Sequence, residues 1–95
     1  MIIRIKDSFK ARLSRQVEFI AHDSPVRARK FKKDIIKEIK NILPKPYKHR
    51  QSIYFEDKNI RDLIYKGYTI VFRINIEEKT IEVFGFVKYQ ETPTD

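Results

Sequence analysis

The segment NIRDLIYKGYTIVFRI, residues 59–74, followed after a short break by TIEVFGFVKYQ, residues 80–90, decides the reading of the fold. Tyr68, Ile70, Phe72 and Ile74 alternate with Thr69, Val71, Arg73 and Asn75, which is the two-residue period of a strand. Ile60–Lys66 alternates more weakly. Lys66-Gly67 reads as a tight reversal between the two, because Gly67 accepts a positive φ without steric cost. Glu77-Glu78-Lys79 makes the next turn, into Thr80–Tyr89. There Glu82, Phe84, Phe86 and Lys88 are expected on one face, with Ile81, Val83, Gly85, Val87 and Tyr89 on the other. Three strands joined by such short turns form an antiparallel meander.

Upstream, IIRIK at residues 2–6 is short and β-branched and reads as a further strand. Asp7-Ser8 can cap a helix that starts there. Phe9, Leu13, Val17 and Ile20 recur at helical spacing, predicting a helix over about 8–22. Ser24-Pro25 is a restart signal, a hydroxyl cap followed by proline in the first turn. Ala28, Phe31, Ile35, Ile39 and Ile42 form one apolar stripe, widened by Ile36 and Leu43, until Pro44 and Pro46 end the helix near 43. So short a joint predicts an antiparallel helical hairpin.

The order strand, helix, helix, strand, strand, strand predicts an α+β, two-layer fold in a single domain over 1–95. The helical hairpin should cover one face of a mainly antiparallel sheet. The first strand is expected at an edge, beside the second or the last strand. Phe9, Leu13, Phe31, Ile35, Ile39, Ile70, Phe72, Phe84 and Phe86 are expected to be buried. The loop over 44–58 should frame the other face, which stays open, with Tyr54 and Phe55 plugging the sheet edge. The polar tail QETPTD is expected to fray.

Composition narrows the chemistry. The chain has 95 residues, 41% of them hydrophobic, enough for one core. With no cysteine, it has no disulfide, thiolate metal site or cysteine nucleophile. Gly67 and Gly85 are the only glycines, which excludes a glycine-rich phosphate loop. His22 and His49 alone do not make a metal site, and neither a metal nor another cofactor is expected. MIIRIKDSFK is not a secretory signal, and no stretch approaches the ~18 apolar residues of a membrane span. A cytoplasmic protein with no membrane partner is therefore expected.

The net charge is +8, and residues 1–50 carry all of the positive excess, with 15 Lys and Arg against 5 Asp and Glu. Much of it falls on the second helix, where Arg29, Lys30, Lys33, Lys37 and Lys40 stand opposite the apolar stripe. A solvated helix surface would read the same way, but the excess points to a polyanionic or acidic partner. Lysine is a point charge rather than a bidentate reader, so sequence-specific readout is not expected. His49 and Arg50 lie in the loop, where functional residues concentrate. Arg61 is expected to form a structural ion pair.

Arg61, Leu63, Gly67, Tyr68, Ile70 and Phe72, with the TIEVFGFVKYQ strand after them, resemble the RelE/ParE superfamily of bacterial type II toxins. Members often read as an R-x-L strand, a turn containing glycine, a Tyr-(Arg)-Ile-x-Tyr strand, an acidic turn and a last apolar strand. The resemblance covers the whole chain in element order. It implies a growth inhibitor neutralised by a cognate antitoxin that wraps around it, and the charge excess predicts that the antitoxin does so with an acidic segment. Arg29, Lys30, Lys33, Lys37, Lys40, His49, Arg50 and Arg61 are the candidates for contact with target or antitoxin. The resemblance admits two activities. RelE-like members cut mRNA on the ribosome, and ParE-like members poison DNA gyrase.

Cutting RNA needs a base, an acid and cations to stabilise the transition state. The family arginine after the strand's first tyrosine is Thr69 here, and Asp62 interrupts the strand that is lysine-rich in RNases. Arg73, Lys88 and Tyr89 are the candidates that remain for such a site. Lys88 cannot replace histidine as a near-neutral acid or base without a large pKa shift. ParE-like inhibition of gyrase through protein binding is therefore expected. A ribosome-dependent mRNA endonuclease and a catalytically degenerate binding module are the alternatives.

Overall fold

Ile2–Ile5 forms β1, and the chain passes directly into helix α1 at Asp7–Asp23 and helix α2 at Pro25–Lys40. The computed structural model describes residues 1–88. Lys6, still extended, occupies the N-cap of α1 and no side chain caps the helix. The expected Asp7-Ser8 cap is thus displaced, because the helix starts one residue after the strand ends. Asp7 instead sits inside the first turn, where its carboxylate meets the positive end of the helix dipole. The Ser8 hydroxyl donates to the Phe84 carbonyl at 3.5 Å. Ser24 behaves as its sequence suggests: its Oγ accepts from the Arg27 amide at 3.2 Å, with proline next to it in the first turn.

Helix α2 stops at Lys40 rather than at 43. The turn after it tightens, with the Ile42 amide donating to the Ile39 carbonyl at 3.1 Å. Ile42 remains fully buried by this turn, so the apolar stripe outlasts the helix. The expected loop over 44–58 also contains structure. A 3₁₀ turn at Pro46–Lys48 leads into the short strand β2 at Arg50–Gln51.

Strands β3 (Ile60–Tyr65), β4 (Tyr68–Asn75) and β5 (Thr80–Lys88) form the antiparallel meander. Gly67 takes a φ of 81° at the first reversal. The sheet order is β1-β5-β4-β3-β2, so β1 joins the last strand, and it does so in parallel. Ile3 and Ile5 of β1 lie beside Ile81 and Val83 and pack on the core with them.

The core lies between the helices and this sheet. Phe9, Ile35, Ile42, Ile70, Phe72, Ile81 and Val83 are completely inaccessible. Phe9 meets Phe86 edge to face at 5.5 Å, and the Phe86 ring stacks on Tyr68 at 5.3 Å. Phe31 is only half-buried, resting on Tyr68 at 4.9 Å.

One strand departs from simple alternation. Val71 pairs with Gly85, but Phe72 pairs with Val83, so Phe84 is the extra residue of a β-bulge. The bulge exchanges the faces of β5 midway. Ile81 and Val83 point to the helices before it, and Phe86 does so after it. Phe84 turns to the opposite face, against the expectation that it shares the core with Phe86. Gly85 is required by space rather than by φ: a Cβ there would stand 2.9 Å from the Val71 Cβ.

Candidate functional site

Three surfaces stand out, two of them gathering candidate residues, and each follows from the placement of an element. The first is the outer side of α2. Arg29, Lys30, Lys33, Lys37 and Lys40 are all exposed. At about 100° per residue they fall within an arc of roughly 100° opposite Ile35. Asp34 lies on the flank of this arc. It accepts from Lys30 Nζ at 3.0 Å and from the Tyr65 hydroxyl at 3.0 Å. The hydrogen bond from Lys30, then that from Tyr65, hold its carboxyl below the usual range, and the same contact raises Lys30. The one acid nearest the cationic arc is thereby turned towards the β3–β4 end of the sheet.

The second surface is the sheet face away from the helices. By register Arg4, Glu82, Arg73, Val71 and Asp62 share it. It is less open than the sequence suggests, because the chain after β2 crosses it. The Ile53 amide donates to Asp62 Oδ2 at 3.2 Å, and Arg50 Nη2 reaches the same oxygen at 3.3 Å. Asp62 is 2% exposed, and its Oδ1 is buried without a partner. Phe55 meets Phe84 at 5.6 Å, and the Arg73 guanidinium lies 5.6 Å from the same ring. Phe55 therefore sits on the sheet face instead of plugging its edge. Tyr54 is exposed beside it.

His49 and Arg61 lie on the other side, where the 3₁₀ turn extends the helical layer. Among the described residues Arg61 forms no ion pair. Its Nε donates to the Lys58 carbonyl at 2.8 Å, and its Nη1 donates to the carbonyls of His49 at 3.0 Å and Tyr47 at 3.4 Å. The guanidinium also covers the Tyr47 ring at 4.9 Å. Arg61 thus ties the loop together, replacing the expected carboxylate with three carbonyl oxygens. His49 packs edge-on against Phe72 at 5.5 Å, with Nε2 buried and unpartnered. Burial, reinforced by Lys48, pushes its pKa down, and Glu38 opposes this.

The structure does not bring Arg73 and Lys88 together. Arg73 pairs with Glu82 on the face away from the helices, whereas Lys88 pairs with Tyr68 at the other end of β4. The five-residue offset along β4 is about 17 Å, and the two side chains leave opposite faces. Lys88 Nζ instead lies 5.3 Å over the exposed Phe19 ring, in a hollow of about 350 Å³ shared with Arg12 and Arg15. Tyr89 lies outside the described residues. Among the described residues no group of His, Cys, Asp or Glu is placed to hold a metal ion, and no helix is long and apolar enough to cross a membrane.

The third surface is one that the sequence does not single out. Ile5, Phe9, Leu13, Val17 and Ile36 line a groove of about 460 Å³ between the helices and the β1 edge, with Lys10, Lys32 and Glu18 at its rim. Its signal is the width of the apolar stripes. Val17 and Ile36 extend them beyond what the sheet can cover.

Comparison with known proteins places this architecture. No curated protein matches the chain. A family model described as the ParE toxin of the type II toxin-antitoxin system parDE matches residues 3–92, which is nearly the whole chain and reaches from within β1 through every later described strand and helix. The β-α-α-β-β-β-β domain with its basic second helix thus belongs to the ParE toxin family, within the RelE/ParE superfamily of type II toxins.

Proposed function

We propose that this toxin arrests growth by binding DNA gyrase, not by cutting RNA. The observation that carries the reading is the separation of Arg73 from Lys88 on opposite sheet faces. Phosphodiester cleavage needs its base, acid and cations within hydrogen-bond reach of one scissile group. The described candidates do not converge in that way. His49, the one imidazole among the candidates, is packed against Phe72 on the helix side and away from Arg73. A binding inhibitor needs only surfaces, which the chain supplies.

A type II toxin has an antitoxin partner. We place its contact at the groove lined by Ile5, Phe9, Leu13, Val17 and Ile36, next to the outer edge of β1. An amphipathic helix could fill the groove, or a strand could extend the sheet. Lys10 and Lys32 at the rim favour an acidic segment, and association with it should slow as salt rises. The cytoplasm is the compartment where both antitoxin and gyrase would be met.

The test compares purified gyrase supercoiling with translation on isolated ribosomes. Inhibited supercoiling that survives Tyr89→Phe and Arg73→Ala is expected. Growth arrest should weaken when Lys33 and Lys37 are both changed to Glu. Site-specific mRNA cuts on ribosomes, lost in Tyr89→Phe or Arg73→Ala, would replace this reading with the endonuclease.

A further inference from the structure

We infer that the outer face of α2 is a docking ridge for the phosphate backbone of duplex DNA, used without regard to sequence. This goes beyond gyrase binding and does not depend on it. Arg29, Lys30, Lys33, Lys37 and Lys40 form a band of exposed cations within an arc of roughly 100°, and from Arg29 to Lys40 it spans about 16 Å of helix. Each strand of duplex DNA carries one charge per ~3.4 Å of axis, so a ridge of this length spans about five phosphates of one strand.

Two features select a nucleic acid over an acidic protein segment. Protein interfaces are organised around a buried apolar anchor. Between Arg27 and Lys40 no large apolar side chain is fully exposed, and Ile36, half-buried, is the one apolar residue lining the hollow beside the row, whose other walls are Arg29, Lys30, Lys33, Asp34, Lys37 and Lys40. The acid that borders the row, Asp34, is engaged by Lys30 and Tyr65 and so does not repel a phosphate from the row's centre. Four of the five cations are lysines, which hold phosphates as point charges and do not read base edges. α2 itself is fixed by its buried stripe, so the row is presented rigidly.

The measurement is fluorescence anisotropy of the full-length chain with a labelled duplex of random sequence, titrated across salt without gyrase. Five phosphate contacts give a slope of log K against log salt of about −4.5, a loss of roughly 500-fold between about 50 and 200 mM. Lys33→Gln with Lys37→Gln should reduce the slope to about −2.7 and the loss to roughly 40-fold. Lys58→Gln with Lys79→Asn removes as much charge elsewhere on the surface and should leave the slope unchanged. Asn suits the positive φ of 54° at Lys79. Matching circular dichroism spectra would establish that the variants are folded. No binding at low salt, or equal slopes for the two double variants, would overturn the inference. So would displacement of the duplex by a polyglutamate peptide at equal charge concentration, which would assign the ridge to an acidic protein.

Discussion

Replacing Gly85 with alanine tests the bulge that divides the two faces of β5. The added Cβ would stand 2.9 Å from Val71 Cβ and 3.1 Å from its Cγ2, closer than carbon atoms tolerate. Neither partner can swing away, because Val71 is 2% exposed and its Cβ is fixed to the strand backbone. The strands must separate locally, an overpacking that costs about 1–3 kcal/mol. Reduced freedom of the unfolded chain returns about 0.4–1 kcal/mol. At the middle of both ranges a net loss of about 1.3 kcal/mol remains, which in a domain of this size lowers Tm by about 5–10 °C. Thermal unfolding followed by circular dichroism reads this directly. The same change in a Val71→Ala background should cost less, because Cγ2 is gone, yet still more than nothing, because Cβ stays. A Gly85→Ala protein that melts at or above the parent temperature would refute the reasoning. Equal costs in the two backgrounds would do the same.

Other perturbations have equally definite outcomes. Phe9→Ala empties a fully buried site under both helices, and urea unfolding should show a loss of about 3–5 kcal/mol. Arg50→Ala leaves Asp62 buried with only the Ile53 amide on its bonded oxygen, and should cost about 1–3 kcal/mol in the same assay. His49 has a depressed folded pKa, so it favours the folded state above its unfolded pKa near 6.5. That contribution should be lost as pH falls through the folded value, and a pH series of unfolding midpoints on His49→Phe should lack this acid limb. Arg61→Ala frees the carbonyls of Tyr47 and His49 and should raise amide exchange over 45–51 while leaving exchange in β4 unchanged.

The helices and the meander are legible in the sequence because burial there imposes a period. Phe9 and Leu13, then Ile35 and Ile39, repeat at helical spacing and are buried as that spacing requires. Ile70, Phe72 and Ile74 do the same at strand spacing. Alternation alone misplaces Phe84, because a bulge inserts a residue without changing the local composition, and only the contact of Gly85 with Val71 marks it. The direct passage from β1 into α1 overrules the Asp7-Ser8 cap. The position of β1 at an edge is legible, but its choice of β5 over β3 depends on contacts between the two ends of the chain. Of the candidate site, the cationic row on α2 is visible, since charge at helical spacing needs no tertiary information. The separation of Arg73 from Lys88 is not, because it depends on a register and a face exchange. Arg61 reads as half of an ion pair, although three carbonyls from a loop satisfy it as well.

The place of β5 in the sheet bears on how the molecule comes into being. It is the last described strand to be synthesised, yet it lies between β1 and β4 and supplies a ladder to each. Ile2 and Thr80, which pair, are roughly 80 positions apart, so no early fragment of the nascent chain can close the sheet. A polypeptide interrupted before Thr80 leaves β1 without a neighbour and the helical hairpin without half of its floor. Translation that stalls midway therefore yields a fragment whose sheet cannot close and whose core is open to proteases. The sheet is completed in a single step, when the interior strand is threaded between two that have been waiting for it.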